Sequence, residues 1–191
     1  MGRLQTFDTA EVVRAARAVF WQHGYEDASI PDLEAATGLK RSSLYNAFDS
    51  KRGLFDAAVN SYLDEVIRPR LRPLTGARVS PDAIVEYFTG LRAALARSDS
   101  FTAENGCLLI NAAGGPIAHD DAVREIVADY RAELQSAMRS GIAARHPDRL
   151  AGEVDRMAET CTALLVATFA LTRVDAAAAL GSLDAALRLV D

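Results

Sequence analysis

Apolar positions recur along this chain at helical spacing, and alternation at period two is nearly absent. Val12, Ala16, Val19 and Phe20 form an i, i+4, i+7, i+8 stripe, which predicts a first helix starting near Thr9 as its cap, running to His23 and stopped by Gly24. Ser29, Pro31 and Asp32 read as a cap with an acidic first turn, so a second helix opens there and ends at Gly38. A third is expected over residues 40–48 and a fourth from Ser50 to about Ile67, where Pro69 and Pro73 interrupt. Beyond the prolines, helices are expected from Ser80-Pro81 to about Arg97, over 105–113, over 120–144, from Asp148 to about Arg173, and from Asp175 to Leu189. The fold class read from this pattern is all-α. It divides into a small N-terminal unit, residues 1–49, and a larger helical one, residues 50–191.

The third helix has two unlike faces. On a wheel centred on Leu44, Lys40 and Phe48 lie on the same side, while Ser42 and Asn46 point away and Ser43 and Tyr45 flank them. Leu44 and Phe48 are expected to pack on Leu33, Ala36 and Phe20. The outward set is short and hydrogen-bonding with one aromatic, which suits a helix entering a major groove about 12 Å wide. Asn46 can pair with an adenine edge, and the serines and the tyrosine can reach phosphate. A merely solvated polar face has the same composition.

Charge placement changes that balance. The chain carries −5 overall, which excludes a protein that coats nucleic acid indiscriminately. Yet residues 40–52 hold Lys40, Arg41, Lys51 and Arg52 against Asp49 alone, a local excess of three positive charges. Cations in a first helical turn oppose the helix dipole at a cost of about 0.3–1 kcal/mol each. Two consecutive helices that open on basic pairs therefore call for an anion, and a phosphate between Lys40/Arg41 and the amides near Ser50-Lys51 would supply it. Ordinary surface charge is the competing reading.

The N-terminal residues resemble the helix-turn-helix domain of the TetR family of bacterial transcriptional regulators. The resemblance rests on Phe20, Gly24-Tyr25, Ser29-Ile30, Leu33, Ala36, Thr37-Gly38-Leu39, Ser43-Leu44-Tyr45, Phe48, Ser50-Lys51 and Leu54-Phe55. It implies that helices two and three read operator DNA, that Ser43, Tyr45 and Lys51 contact its backbone, and that Ser42 and Asn46 vary with operator sequence. Two positions depart from the family pattern: Lys40 stands where a Ser or Thr often caps the third helix, and Ala47 where a His or Tyr often reaches phosphate. Lys40 cannot accept a backbone hydrogen bond, so capping is expected to be weaker by about 1 kcal/mol.

For the rest of the chain the resemblance is looser. It implies a helical regulatory domain holding a small-molecule effector, and a homodimer formed through the last two helices. Leu164, Leu165, Ala167, Thr168 and Leu171, then Ala178, Leu183, Ala186 and Leu187, offer apolar surface for either a dimer or an internal core. Tyr62, Phe88, Cys107, Asn111 and Tyr130 are the aromatic or polar candidates for effector contact, and few charges near them favour an aromatic or hydrophobic effector. The segment 105–109 resembles a Gly-Cys-Leu stretch found in one branch of the family, where some members sense electrophiles or oxidants through the cysteine. A reactive thiol needs access and a depressed pKa, and Glu104 opposes the latter, so a packed Cys107 is the alternative; Cys161 sits among apolar residues and reads as core.

No cofactor and no enzyme are expected. His23, His119 and His146 lack metal-ligand spacing, and neither a Gly-rich phosphate loop nor a nucleophile elbow is present. A helical adaptor that binds only protein stays open as the contrasting class, although it has no need of basic helix starts. The longest apolar-rich run, 161–171, is too short to span a bilayer, so a cytoplasmic protein without a membrane partner is expected. Met1-Gly2 with Thr6 formally matches a myristoylation pattern.

Overall fold

The computed structural model describes residues 7–97 and 99–191, so the Met1-Gly2 pattern lies outside the described residues. Eleven α-helices and no strand are found among them. The N-terminal group comprises α1 (Thr9–Asp27), α2 (Ile30–Thr37), α3 (Arg41–Phe48) and α4 (Lys51–Tyr62). Then follow α5 (Arg68–Thr75), α6 (Ala83–Ala96), α7 (Phe101–Asn105), α8 (Leu108–Ala113), α9 (Asp121–Arg145), α10 (Ala151–Leu171) and α11 (Ala176–Val190). No helix is long and apolar enough to cross a membrane among the described residues.

The predicted stripe of α1 is its buried face: Val12, Ala16, Val19 and Phe20 all lie in the core with Trp21. Its cap is Asp8 rather than Thr9, because the carboxylate accepts from the amides of Ala10 at 2.8 Å and Glu11 at 3.3 Å. The helix breaks at Gly24, as expected, but one further turn follows to Asp27. That turn carries Tyr25 onto Phe55, with ring centroids 5.1 Å apart. In α2 the reciprocal box between Ser29 and Asp32 is present. Leu33 and Leu44 are fully buried in one core with Phe20 and Phe55, whereas Ala36, expected to meet Leu44, is exposed.

The prolines do not interrupt the fourth helix where expected. A π-turn, Leu63–Ile67, continues α4 into α5 through both Pro69 and Pro73. The Arg68 amide donates to the Leu63 carbonyl five residues back, and the widened turn makes room for a ring that has no N–H and would crowd the carbonyl four before it. The helix expected over 105–113 begins only at Leu108, as α8, and an unexpected helix, α7, precedes it to Asn105, because Gly106 takes φ 67 and ψ −130, a conformation that ends one helix and re-aims the next. Helix α6 starts at Ala83, two residues after Pro81.

The larger unit packs α5, α6, α9, α10 and α11 around Leu74, Ile84, Phe88, Met138, Ile142, Leu165 and Leu183. The apolar residues of α10 and α11 divide: Leu165, Thr168, Leu183 and Ala186 point into this core, while Leu164, Ala167, Leu171, Ala178 and Leu187 stay partly exposed. An ion pair between Arg92 and Asp184 at 2.5 Å fastens α6 to α11.

Candidate nucleic-acid interface

Helix α3 buries Leu44 fully and packs Tyr45 and Phe48 partly against the core. Arg41, Ser42 and Asn46 are exposed, and Ser43 and Tyr45 are half-buried on its flanks. The Arg41 guanidinium sits 5.1 Å over the Tyr45 ring, a contact that orders both side chains on that flank. Lys40 is the N-cap residue and makes no side-chain cap bond. Ala47 is half-buried and contributes no polar group.

The missing cap is replaced from a neighbouring helix. Glu34 on α2 accepts the Arg41 amide on Oε1 at 2.8 Å, which places a carboxylate against the positive end of α3. No local sequence signal reveals this, since the two residues are seven apart and belong to different helices. Glu34→Ala is expected to lower stability by about 1 kcal/mol, read as a lower urea midpoint with an unchanged m-value.

Helix α4 begins beside α3. Ser50 caps it by accepting the Gly53 amide on Oγ at 3.0 Å. Lys51 lies 4.7 Å over the Tyr25 ring and donates from Nζ to the Glu26 carbonyl at 3.2 Å. Partial loss of water around that ammonium lowers its pKa, with Glu26 and Asp27 opposing the change. Arg52, part of the local positive excess, is committed within the protein. It pairs with Asp56 at 2.8 Å and with Asp120 at 2.5 Å. The Asp120 hydrogen bond is the largest influence raising its pKa. Thus the clash between basic residues and helix dipoles is answered partly from inside, by Glu34 at α3 and by Asp56 and Asp120 at α4.

The effector candidates fall into two groups. Tyr62, Phe88, Cys107 and Tyr130 are buried in the same core, and the Cys107 Sγ lies 3.5 Å from the Tyr130 hydroxyl. Burial pushes the Tyr62 and Tyr130 hydroxyls well above the usual phenol range, and the neighbouring thiol adds to both. Asn111 is half-buried, and its amide donates to the Asn105 carbonyl at 2.8 Å. Tyr87, which sequence reasoning passed over, is half-buried against the same core: loss of water raises its pKa, Arg70 opposes the rise and Cys107 adds to it. A groove of about 260 Å³ opens beside it between α5 and α6, bounded by Pro69, Arg70, Pro73, Glu86, Tyr87 and Leu91.

Comparison with known proteins agrees with this geometry. Residues 12–58, from α1 into α4, match the bacterial regulatory proteins of the tetR family. The chain is 34% identical over 142 residues to YezE, an HTH-type transcriptional regulator of Bacillus subtilis strain 168, covering 74% of this chain and 72% of that one. The chain belongs to the TetR family. It is also 35% identical to the HTH-type transcriptional repressor ComR of Escherichia coli K12, over 58% of this chain but only 51% of that protein's length. Among solved structures, a cysteine mutant of the TetR family transcriptional regulator CifR, complexed with 26 bp of double-strand operator DNA, superposes with a TM-score of 0.77 at 28% identity. That match spans 97% of this chain and 98% of the CifR chain. TetR-family membership makes this chain a DNA-binding transcriptional regulator with an N-terminal helix-turn-helix and a C-terminal helical region, and it removes the adaptor reading.

Proposed function

We infer that this protein is a homodimeric repressor that holds a palindromic operator and releases it when a small molecule occupies its regulatory half. The observation that carries the reading is the face of α3: Arg41, Ser42 and Asn46 are exposed with Ser43 and Tyr45 half-buried on its flanks, and the Lys51 ammonium at the start of α4 is held by Tyr25 and Glu26. With Lys40, these residues supply phosphate contacts on the flanks and base contacts from Ser42 and Asn46. Repression is supported by the likeness to ComR, and operator binding by the likeness to CifR.

Residues 1–49 form the DNA-binding unit in this reading and residues 50–191 the regulatory one, with α4 joining them. Leu164, Ala167 and Leu171 on α10 and Leu187 on α11 are only partly covered within the chain, Leu164 and Leu187 at the border of the core, and the apolar surface they leave open suits a second copy of the chain. Such pairing sets two recognition helices about 34 Å apart, one turn of B-DNA. The effector is aromatic or hydrophobic and reaches Tyr62, Phe88, Cys107, Asn111 and Tyr130. Thiol sensing through Cys107 has its burial against it: the side chain is 0% exposed and packed on Tyr130.

In a gel-shift titration with the promoter of its own gene, the protein is expected to bind with an affinity that falls steeply as salt rises. Absence of salt-sensitive binding to that promoter would refute the repressor reading.

A further inference from the structure

The loop between α8 and α9 reaches across to the N-terminal helices at two points, one on α1 and one on α4. The Ile117 amide donates to Glu26 Oε1 at 2.6 Å, and Asp120 Oδ2 pairs with Arg52 at 2.5 Å. Neither contact stands alone. Glu26 also offers its backbone carbonyl to Lys51, and Arg52 is the residue next to Lys51 in the first turn of α4. Asp120 divides its carboxylate, since Oδ1 caps α9 by accepting from Ala122 at 3.0 Å and Val123 at 3.2 Å. One residue therefore fixes both the start of α9 and the start of α4.

The other end of α8 is held in the same way. The Trp21 indole donates to the Gly106 carbonyl at 3.1 Å, and the next residue, Cys107, packs on Tyr130 of α9. Helix α8 is thus a short strut. Its first end lies in the Tyr62–Cys107–Tyr130 cluster and on α1, and its far end leads into the loop that grips Glu26 and Arg52.

We propose that Glu26, Arg52 and Asp120 are positioning residues for operator binding: through them the α8–α9 loop clamps the end of α1 to the start of α4 and sets where Lys51 stands. The proposal rests on the reading of this chain as an operator-binding repressor. It differs from a phosphate contact by Arg52, because a guanidinium shared between Asp56 and Asp120 is already neutralised by the protein. A shift of α8 or α9 would be felt at Lys51 through this clamp without any movement of α3 within its own helix-turn-helix.

The test is a fluorescence-anisotropy titration of the full chain on its promoter duplex at several salt concentrations, with Asp120→Asn, Arg52→Gln and the double variant. Asparagine caps a helix as well as aspartate does, so Asp120→Asn removes the charge and leaves α9 capped. Each single change is expected to weaken binding about fivefold, and the double change no further than the weaker single, because both break one interaction. The salt slope should stay that of the wild type, because Lys51 still reaches its phosphate in the complex and only the cost of placing it there rises. The proposal is overturned by unchanged affinity in Asp120→Asn, by additive losses in the double variant, or by a slope lowered by about one in Arg52→Gln. Wild-type protein that binds no promoter duplex would sink the repressor reading and the clamp together, whereas a binding wild type with an inert Asp120→Asn sinks the clamp alone.

Discussion

Gly53→Ala is expected to cost the protein about 3 kcal/mol of stability and to abolish operator binding at concentrations where the wild type saturates. A Cβ at position 53 would stand 2.1 Å from the carbonyl oxygen of Phe48 and 3.2 Å from its carbon. That carbonyl cannot easily retreat. It accepts the Ser50 amide at 2.7 Å, and the turn between them passes through Asp49 at φ 64, a left-handed conformation that a non-glycine residue adopts reluctantly. Room for the methyl therefore has to come from moving the end of α3 away from the start of α4. This separates the outward face of α3 from Lys51, so stability and DNA binding fall together. Alanine ordinarily favours a helix over glycine by about 1 kcal/mol. Gly90→Ala in α6, where a Cβ would meet nothing within 4 Å, supplies the control and should gain up to that amount. Urea denaturation of the two variants beside the wild type measures both signs, and a Gly53→Ala protein as stable as the wild type would contradict the close approach.

What the sequence disclosed and what it hid follow from how far apart the interacting groups lie along the chain. The Ser29–Asp32 box was legible because both halves lie within one turn. So was the poor cap at Lys40, whose side chain has no acceptor to offer. The partners that offset the basic helix starts were hidden, since Glu34 reaches Arg41 from another helix and Asp120 reaches Arg52 from 68 residues away. A local rule therefore read four cations as awaiting phosphate, where the folded chain neutralises part of them itself. The prolines misled in the opposite direction. A breaker rule assumes the α register, and the π-turn at Leu63–Ile67 evades it by widening the helix just before Pro69. Beyond the helix-turn-helix, residue type pointed to Cys107 and Tyr130, which stand 3.5 Å apart in the core. Tyr87 was passed over because its neighbour Phe88 fitted the apolar period, and its place in the groove beside Pro69, Arg70 and Pro73 depends on how α5 and α6 pack.

Lys51→Ala is expected to weaken operator binding about tenfold at moderate salt and to reduce the slope of log affinity against log salt by about one. The slope counts phosphates neutralised, so it separates two roles that this lysine holds at once. Its ammonium donates to the Glu26 carbonyl and lies over Tyr25, and loss of that internal contact would lower affinity equally at every salt concentration. Loss of a phosphate contact lowers it most where salt is scarce. Lys51→Met keeps the apolar stem against Tyr25 and removes only the charge, so it should reproduce the slope of Lys51→Ala with a smaller loss of stability. Tyr45 makes the complementary comparison. Tyr45→Phe retains the ring beneath Arg41 and removes only the hydroxyl, whereas Tyr45→Ala removes the ring that orders the guanidinium as well. Affinity should therefore fall in the order wild type, Tyr45→Phe, Tyr45→Ala. If Arg41 meets phosphate only when held by that ring, the slope falls in Tyr45→Ala and not in Tyr45→Phe. A Lys51→Ala protein with the wild-type slope would assign this lysine to the α1–α4 junction alone and leave the phosphate contacts to Lys40 and Arg41.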